Sequence, residues 1–181
     1  MDFSRKCCIF NRRCLVDPLI TVIITSIPDF SLQFDPELSL LRIEWAAGDD
    51  TRTLRESATK LLVIDRELAV RNLLLNMNTF PDISVYDQLW LGTHWMTGIV
   101  KLPLERVVIV NNRHRVHNQL AIDSMIALVR PFIKFDIQFF PQASSGMRWL
   151  SDFSPRLPEV MAEWNRVFAP EDLTAVRPQH L

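Results

Sequence analysis

Short apolar runs alternate with longer amphipathic stretches between residues 31 and 152, and this alternation constrains the fold more than any other feature. Short runs that are rich in β-branched, leucine and aromatic residues predict strands. The first two runs are separated by Asp35-Pro36-Glu37, a sequence typical of a turn, and they predict a hairpin. The five predicted strands have the sequences FSLQFD, LSLLRIEW, NLLLNM, RVVIVN and IKFDIQFF.

The stretches between the later runs carry apolar residues at helical spacing. The first begins near Thr53 and Glu56, which have the spacing of a capping box. In the second, Val85 and Leu89 open an apolar stripe that continues towards residue 100 and predicts a helix. A third helix ends before Pro131, because proline cannot continue a helix. The segment QASSGMRWL predicts a short fourth helix.

The resulting order of elements is β-β-α-β-α-β-α-β-α. Strands that alternate with helices imply right-handed crossovers and parallel pairing, whereas the opening hairpin is antiparallel. We therefore predict one α/β domain at residues 31–152, with a mixed, mostly parallel sheet of about five strands and helices packed on it.

Residues 1–30 form a separate N-terminal extension in which basic residues precede an apolar run from Leu19 to Ile27. This order imitates a secretory signal, but Asp17 and Pro18 interrupt it and no A-x-A cleavage site follows. The run is also far shorter than the roughly 20 apolar residues of a membrane span. We predict a cytoplasmic protein without a membrane anchor. The extension is then a tail, an extra edge strand or a mis-assigned start.

Residues 153–181 form a C-terminal extension with an amphipathic helix at 158–168. Its apolar residues recur at positions i, i+1, i+4, i+7 and i+8, beginning with Val160 and ending with Phe168. Such a face must be buried. Packing on the surface of the domain is the first interpretation, and a homodimer contact through this helix is the second.

Several classes of function are disfavoured by composition. The formal net charge of −1 provides no basic field for nucleic acid. The three cysteines all precede residue 15, so the predicted domain has no catalytic thiol and no cysteine-ligated zinc. His114 and His117 lack the H-E-x-x-H spacing of a metal site. The four glycines do not form a phosphate-binding loop. We therefore expect no metal, no cofactor and no catalytic constellation.

Six segments, mostly core patterns, carry a resemblance that covers about residues 31–152. They are LLRIEW, LLLNMNTF, DQLWLGTHW, RVVIVN, NQLAIDSM and FDIQFFPQASSGMRWL. Together with the order of elements, they resemble the STAS domain of anti-sigma-factor antagonists and sulfate-transporter tails. They look most like the small bacterial STAS-like proteins grouped with lipid-transfer CRAL/TRIO-like sequences. The resemblance implies a regulatory module that binds proteins.

Ser84 lies where regulatory STAS proteins carry a phosphorylated serine, at the start of the helix after the central strand. Their Asp-Ser-Ser/Thr-Gly sequence is absent from NMNTFPDISVYDQLW. Ser84 and Asp87 instead fit S-x-x-D, in which the serine oxygen caps the helix and the carboxylate complements its positive end. We predict that Ser84 is a helix cap, and phosphorylation of Ser84 is the alternative.

Two connectors are predicted to share one edge of the sheet, because the carboxyl ends of parallel strands lie together. The first contains Asn78, Thr79 and Phe80 as well as Ser84. The second is a polar loop that is either a solvated connector or a site for an anion such as phosphate or a carboxylate. Its candidate residues are Asn112, Arg113, His114 and Arg115.

We therefore predict a non-enzymatic binding or regulatory module that acts through an unknown protein partner at these connectors. A carrier of a small apolar or anionic ligand is the alternative. A hydrolytic enzyme that would assemble Ser84, His114 and Asp82 in space is a third hypothesis, and no nucleophile-elbow sequence supports it.

Overall fold

The computed structural model of the chain describes residues 21–111 and 116–168. Within these residues, six strands form one sheet, and their order across the sheet is their order along the chain. The strands are β1 (Val22–Ile24), β2 (Phe30–Asp35), β3 (Leu40–Trp45), β4 (Asn72–Asn76), β5 (Arg106–Val110) and β6 (Asp136–Phe140).

The helices fill the connections after β3 and continue beyond β6. A π-helical segment at Leu91–Trp95 joins α2 to α3 without a break, and a 3-10 turn at Arg130–Phe132 follows α4. No helix in the described part of the chain is long and apolar enough to cross a bilayer. The α-helices are α1 (Leu54–Glu67), α2 (Val85–Trp90), α3 (Met96–Ile99), α4 (Val116–Val129), α5 (Ala143–Leu150) and α6 (Leu157–Phe168).

Strands β1 to β3 pair antiparallel, and β3 to β6 pair parallel. Each parallel crossover steps to the next strand in the same direction, so right-handed connections place α1, α2–α3 and α4 on one face. The other face carries α5 and α6. The α/β class is confirmed. The predicted strand number was too low by one, because Val22–Ile24 pairs with β2 as an extra edge strand.

Alternate residues of the central strands are buried on opposite faces of the sheet. In β4, Leu73 and Leu75 contact the core beneath α1 to α4, whereas Leu74 belongs to the core beneath α5 and α6. In β5, Val107 and Val108 divide in the same way. Both faces are covered, and this explains why these strands have continuous apolar sequences.

The second face is closed by α5 and α6. A β-carbon placed on Gly146 of α5 would lie 2.5 Å from Cγ1 of Val108, so the absence of a side chain lets α5 approach the sheet closely. From α6, Leu157, Val160 and Trp164 are buried. Packing of this helix on the chain's own surface is therefore confirmed. A homodimer through helix 158–168 stays a prediction, and it would have to use other residues of the helix.

The second predicted helix has a different register from the one we expected. We expected Val85 and Leu89 to share a buried stripe with Met96, but Val85 and Leu89 are exposed and Met96 is buried. The π-helical segment lies between them. Its wider turn shifts the register by roughly one residue, which is about 100° around the helix axis. The apolar stripe therefore turns away from the core before residue 91.

The predicted capping box at the start of α1 was wrong. Thr53 is the N-cap residue, but its side chain makes no capping bond. Its hydroxyl donates instead to Asp29 Oδ2 over 2.6 Å, and Ser57 donates to the same oxygen. Asp29 therefore ties the start of α1 to the segment before β2, and this tertiary partner replaces the local one.

The buried face of α1 ends in an ionisable residue. Leu54, Ala58, Leu61 and Asp65 all face inward. Neither carboxyl oxygen of Asp65 has a hydrogen-bond partner among the described residues. Burial raises the pKa of Asp65 from 3.8 to about 8, because the charged form cannot be solvated there. Asp65 is therefore mostly a neutral acid at pH 7.

Candidate functional site

The connector after β4 is held by its own polar side chains. Asn76 Oδ1 accepts the backbone N–H of Asn78 over 3.1 Å, and the Asn76 carbonyl accepts the Thr79 hydroxyl over 3.1 Å. Thr79 Oγ1 in turn accepts the backbone N–H of Trp45 over 3.0 Å. Thr79 therefore has a structural role, since it joins the ends of β3 and β4.

Phe80 is a core residue and not a surface contact. Its ring stacks on Trp45 at a centroid distance of 5.2 Å and lies 6.1 Å from Phe30. It is only 5% exposed. Of the candidates in this connector, Phe80 is thus inaccessible to a protein partner. Its ring packs inside the domain.

Asn118, near the start of α4, binds the backbone of the connector through hydrogen bonds. Its Nδ2 donates to the Pro81 carbonyl over 3.1 Å, and its Oδ1 accepts the Ile83 N–H over 3.4 Å. A weaker contact of 3.5 Å reaches the Phe80 carbonyl. The side chain is fully buried. This role has no signal in the sequence, because a sequence does not show which backbone groups a distant amide will satisfy.

Replacing Asn118 with leucine is expected to destabilise the protein by about 2–4 kcal/mol, because buried backbone groups of the connector lose their partners. The Ile83 amide should also exchange its hydrogen faster. Denaturant unfolding and hydrogen exchange measure the two effects. The variant Asn118→Asp keeps an oxygen that accepts the Ile83 N–H, but it loses the N–H groups that donate to the Pro81 and Phe80 carbonyls. Unchanged protection of Ile83 in Asn118→Leu would show that this side chain does not hold the connector.

Ser84 caps α2, as predicted. Its Oγ accepts the backbone N–H of Asp87 over 3.2 Å, and its hydroxyl donates to Asp87 Oδ2 over 2.6 Å. Arg55 Nε donates to the other Asp87 oxygen over 2.8 Å. Partial burial acts to raise the pKa of Asp87, but the bonds from Ser84 and Arg55 outweigh it and the pKa is lowered. Asp87 is therefore a stable anion at the positive end of α2.

The two predicted connectors do approach each other. Gln88 Nε2 donates to the Ile83 carbonyl over 2.7 Å and lies 3.1 Å from His117 Nε2. His117 thus joins the starts of α2 and α4. The other candidates of the second connector, Asn112, Arg113, His114 and Arg115, lie outside the described residues.

A largely uncharged surface extends from these helix starts. Residues 88–100 contain no Asp, Glu, Lys or Arg, and α4 contains only Asp123. The π-helical segment that continues α2 packs closely on α4, since a β-carbon on Gly92 would lie 3.0 Å from Leu128 Cδ1. We call their exposed apolar residues the α2/α4 face. They are Val85, Tyr86, Leu89, Val116, Leu120 and Leu128.

Residues 21–111 and 116–168 contain no group of three or more His, Cys, Asp or Glu side chains that is placed to hold a metal ion. The fold and this site define an α/β protein with a mixed sheet between two helical layers and an uncharged face on one of them. A scan against models of protein families finds no match, and neither do searches of curated proteins and of solved structures.

Proposed function

We propose that this chain is a STAS-like regulatory module that acts in the cytoplasm by binding a protein partner through the α2/α4 face. The observation that carries the proposal is the exposure of that face. Tyr86 is 81% exposed, and Leu89 and Leu120 are each 62% exposed. Exposed apolar residues that cluster on adjacent elements mark contact sites.

The charge distribution supports a protein contact. The centres of protein interfaces are depleted of charged residues and enriched in aromatic ones, while their rims are polar. On the α2/α4 face, Tyr86 and the leucines are the apolar residues, and the Arg55–Asp87 ion pair lies beside them at the start of α2. Burying one leucine side chain fully contributes about 1.5–3 kcal/mol.

Charge introduced on the α2/α4 face is expected to weaken partner binding. Leu89→Asp and Leu120→Asp should each reduce capture of the partner by roughly tenfold or more, since a buried carboxylate cancels the apolar gain. Affinity capture from the cells that make the protein, followed by titration of the recovered partner, measures the effect.

Val63→Asp is the matched control, because Val63 is an exposed apolar residue on α1, which is not one of the two helices that form this face. It should leave capture unchanged. Equal capture by wild type, Leu89→Asp and Leu120→Asp, with unchanged melting temperatures, would contradict the proposal. Equal losses for Val63→Asp would show that the effect is not specific to the α2/α4 face.

Phosphorylation of Ser84 stays a prediction within this proposal. The Ser84 side chain is exposed at the first turn of α2, beside Val85 and Tyr86. A phosphate adds about two negative charges, and it would abolish the hydrogen bond that the hydroxyl donates to Asp87. Modification would therefore change both the charge and the local structure at the edge of the α2/α4 face.

A further inference from the structure

An apolar cavity of about 80 Å³ lies between the sheet and helices α1 to α4. Every side chain that lines it is apolar, and both layers contribute. Protein interiors are close-packed and hold few voids larger than a water molecule. A buried water needs two to four polar partners, which this lining does not offer. The cavity is therefore suited to apolar contents only.

The π-helical segment forms part of the cavity wall. Leu91 and Trp95, its first and last residues, both line the cavity. The Trp95 indole N–H donates to the Ala58 carbonyl over 3.0 Å, so the segment is fixed to α1. Ala58 also lines the cavity. π-Helical turns are rare and occur frequently at functional sites. The unusual backbone and the cavity thus coincide.

Methionine side chains give the cavity an adaptable wall. Met77, Met96 and Met125 line it, from the end of β4, from α3 and from α4. Methionine is unbranched and polarisable, so it adjusts to the shape of a neighbouring molecule more easily than other apolar residues. The other methionines within the described residues, Met147 and Met161, pack on the opposite face of the sheet.

From the cavity, its π-helical wall and its methionines, we infer that this is a binding site for one small, uncharged, apolar molecule. A ligand with a hydroxyl or a charge would lose its hydrogen bonds to water and find no partner in the lining. The volume is roughly half that of an engineered cavity of about 150 Å³ that binds benzene. A xenon atom or a hydrocarbon of a few carbon atoms therefore fits, and benzene requires the methionines to move.

This site is independent of the protein-binding proposal, since its lining is internal. It gives the ligand-carrier alternative a defined location and a chemical class. The anionic form of that alternative would use Arg113 and Arg115, which lie outside the described residues.

Methyl NMR of the full chain, labelled at its methionine methyl groups, tests the inference. Xenon under pressure is the first probe and benzene is the second. Saturable shifts are expected at Met77, Met96 and Met125, with Met147 and Met161 unchanged. Shifts that are equal at all five methyl groups, or that rise linearly without saturation, would overturn the inference.

Filling the cavity provides a second test. Ala58→Val adds two methyl groups at its wall and is expected to abolish the xenon response without lowering the melting temperature. Ala127→Val is the matched control, because Ala127 is an exposed alanine on α4 and the same helical penalty applies. A full response in folded Ala58→Val would contradict the assignment. If Ala58→Val does not fold, the methyl shifts of the wild type decide.

Myristate serves as a third probe that separates free hydrocarbons from lipid tails. No binding is expected, because the lining offers no partner for the carboxylate. Myristate shifts at Met77, Met96 and Met125 without a response to xenon or benzene would overturn the ligand class and indicate a lipid.

Discussion

Arg156→Met is expected to lower the free energy of unfolding by about 3–5 kcal/mol, because it leaves the buried Asp35 carboxylate without its counter-ion. Asp35 is 1% exposed, and Arg156 Nε and Nη2 each lie 3.0 Å from its Oδ2. Arg156 also pairs with Glu37 at 3.3 Å. The pair connects the start of α6 to the β2–β3 hairpin, across 121 residues of sequence. Denaturant unfolding at neutral pH measures the loss.

Arg166→Met is the matched control on the same helix, since Arg166 is largely exposed and pairs with Glu163 at the surface. It should change stability by less than about 1 kcal/mol. The double variant Asp35→Asn/Arg156→Met should recover part of the loss, because no unpaired charge remains buried. Equal effects of Arg156→Met and Arg166→Met would show that burial does not strengthen the Asp35 pair.

Asp65→Asn is expected to remove a large pH dependence of stability. The pKa of Asp65 is raised to about 8 in the folded protein, above its ordinary value of 3.8. The folded protein therefore holds a proton that the unfolded chain releases. The stability from this group is fully present below about pH 4, and it is lost as the pH rises to about 8.

The loss proceeds at up to about 1.4 kcal/mol per pH unit, and it amounts to at most roughly 6 kcal/mol. An asparagine side chain cannot ionise, so the difference in unfolding free energy between Asp65→Asn and wild type should grow steadily in favour of the variant between about pH 4 and pH 8. Urea titrations across this range measure it. Glu67→Gln, at an exposed position of the same helix, should show no such trend. Parallel pH profiles for wild type and Asp65→Asn would mean that Asp65 is ionised in the fold.

The sequence predicted the sheet well where both faces of a strand are covered. The runs that became β4 and β5 are apolar throughout and are too short for typical helices, so composition and length both indicated strands. The short strand β1 was predicted only as one of three alternatives for the N-terminal extension, because three residues give too little periodicity. Its strand conformation depends on pairing with β2, which is a tertiary interaction.

Local patterns failed where distant partners or a change of helix type intervened. Asp29 displaced the capping box at Thr53, and the π-helical segment rotated Val85 and Leu89 outward. Neither event has a signal in the local sequence. One feature did carry information: residues 88–100 contain no charged side chain, which is unusual for a helix at a surface. Leu89, at the start of that run, is one of the residues of the α2/α4 face.

Of the predicted site, the cap at Ser84 depended on residues three positions apart and was confirmed. The approach of the two connectors followed from the geometry of parallel strands and is seen at His117 and Ile83. The inward position of Phe80 and the hydrogen bonds from Asn118 to the connector depend on the packing of the whole domain. A single sequence does not contain that information in a readable form.

The strand order that matches the chain order has a consequence for folding. Each strand can pair with a neighbour that has already been synthesised, so no strand needs a partner from later in the chain before it can join the sheet. Contacts that are close in sequence form quickly. The exception is α6, which returns to β2 and places Arg156 against Asp35. Docking of α6 is therefore expected to be the closing step, and until then the part of the second face that lies over β2 remains uncovered.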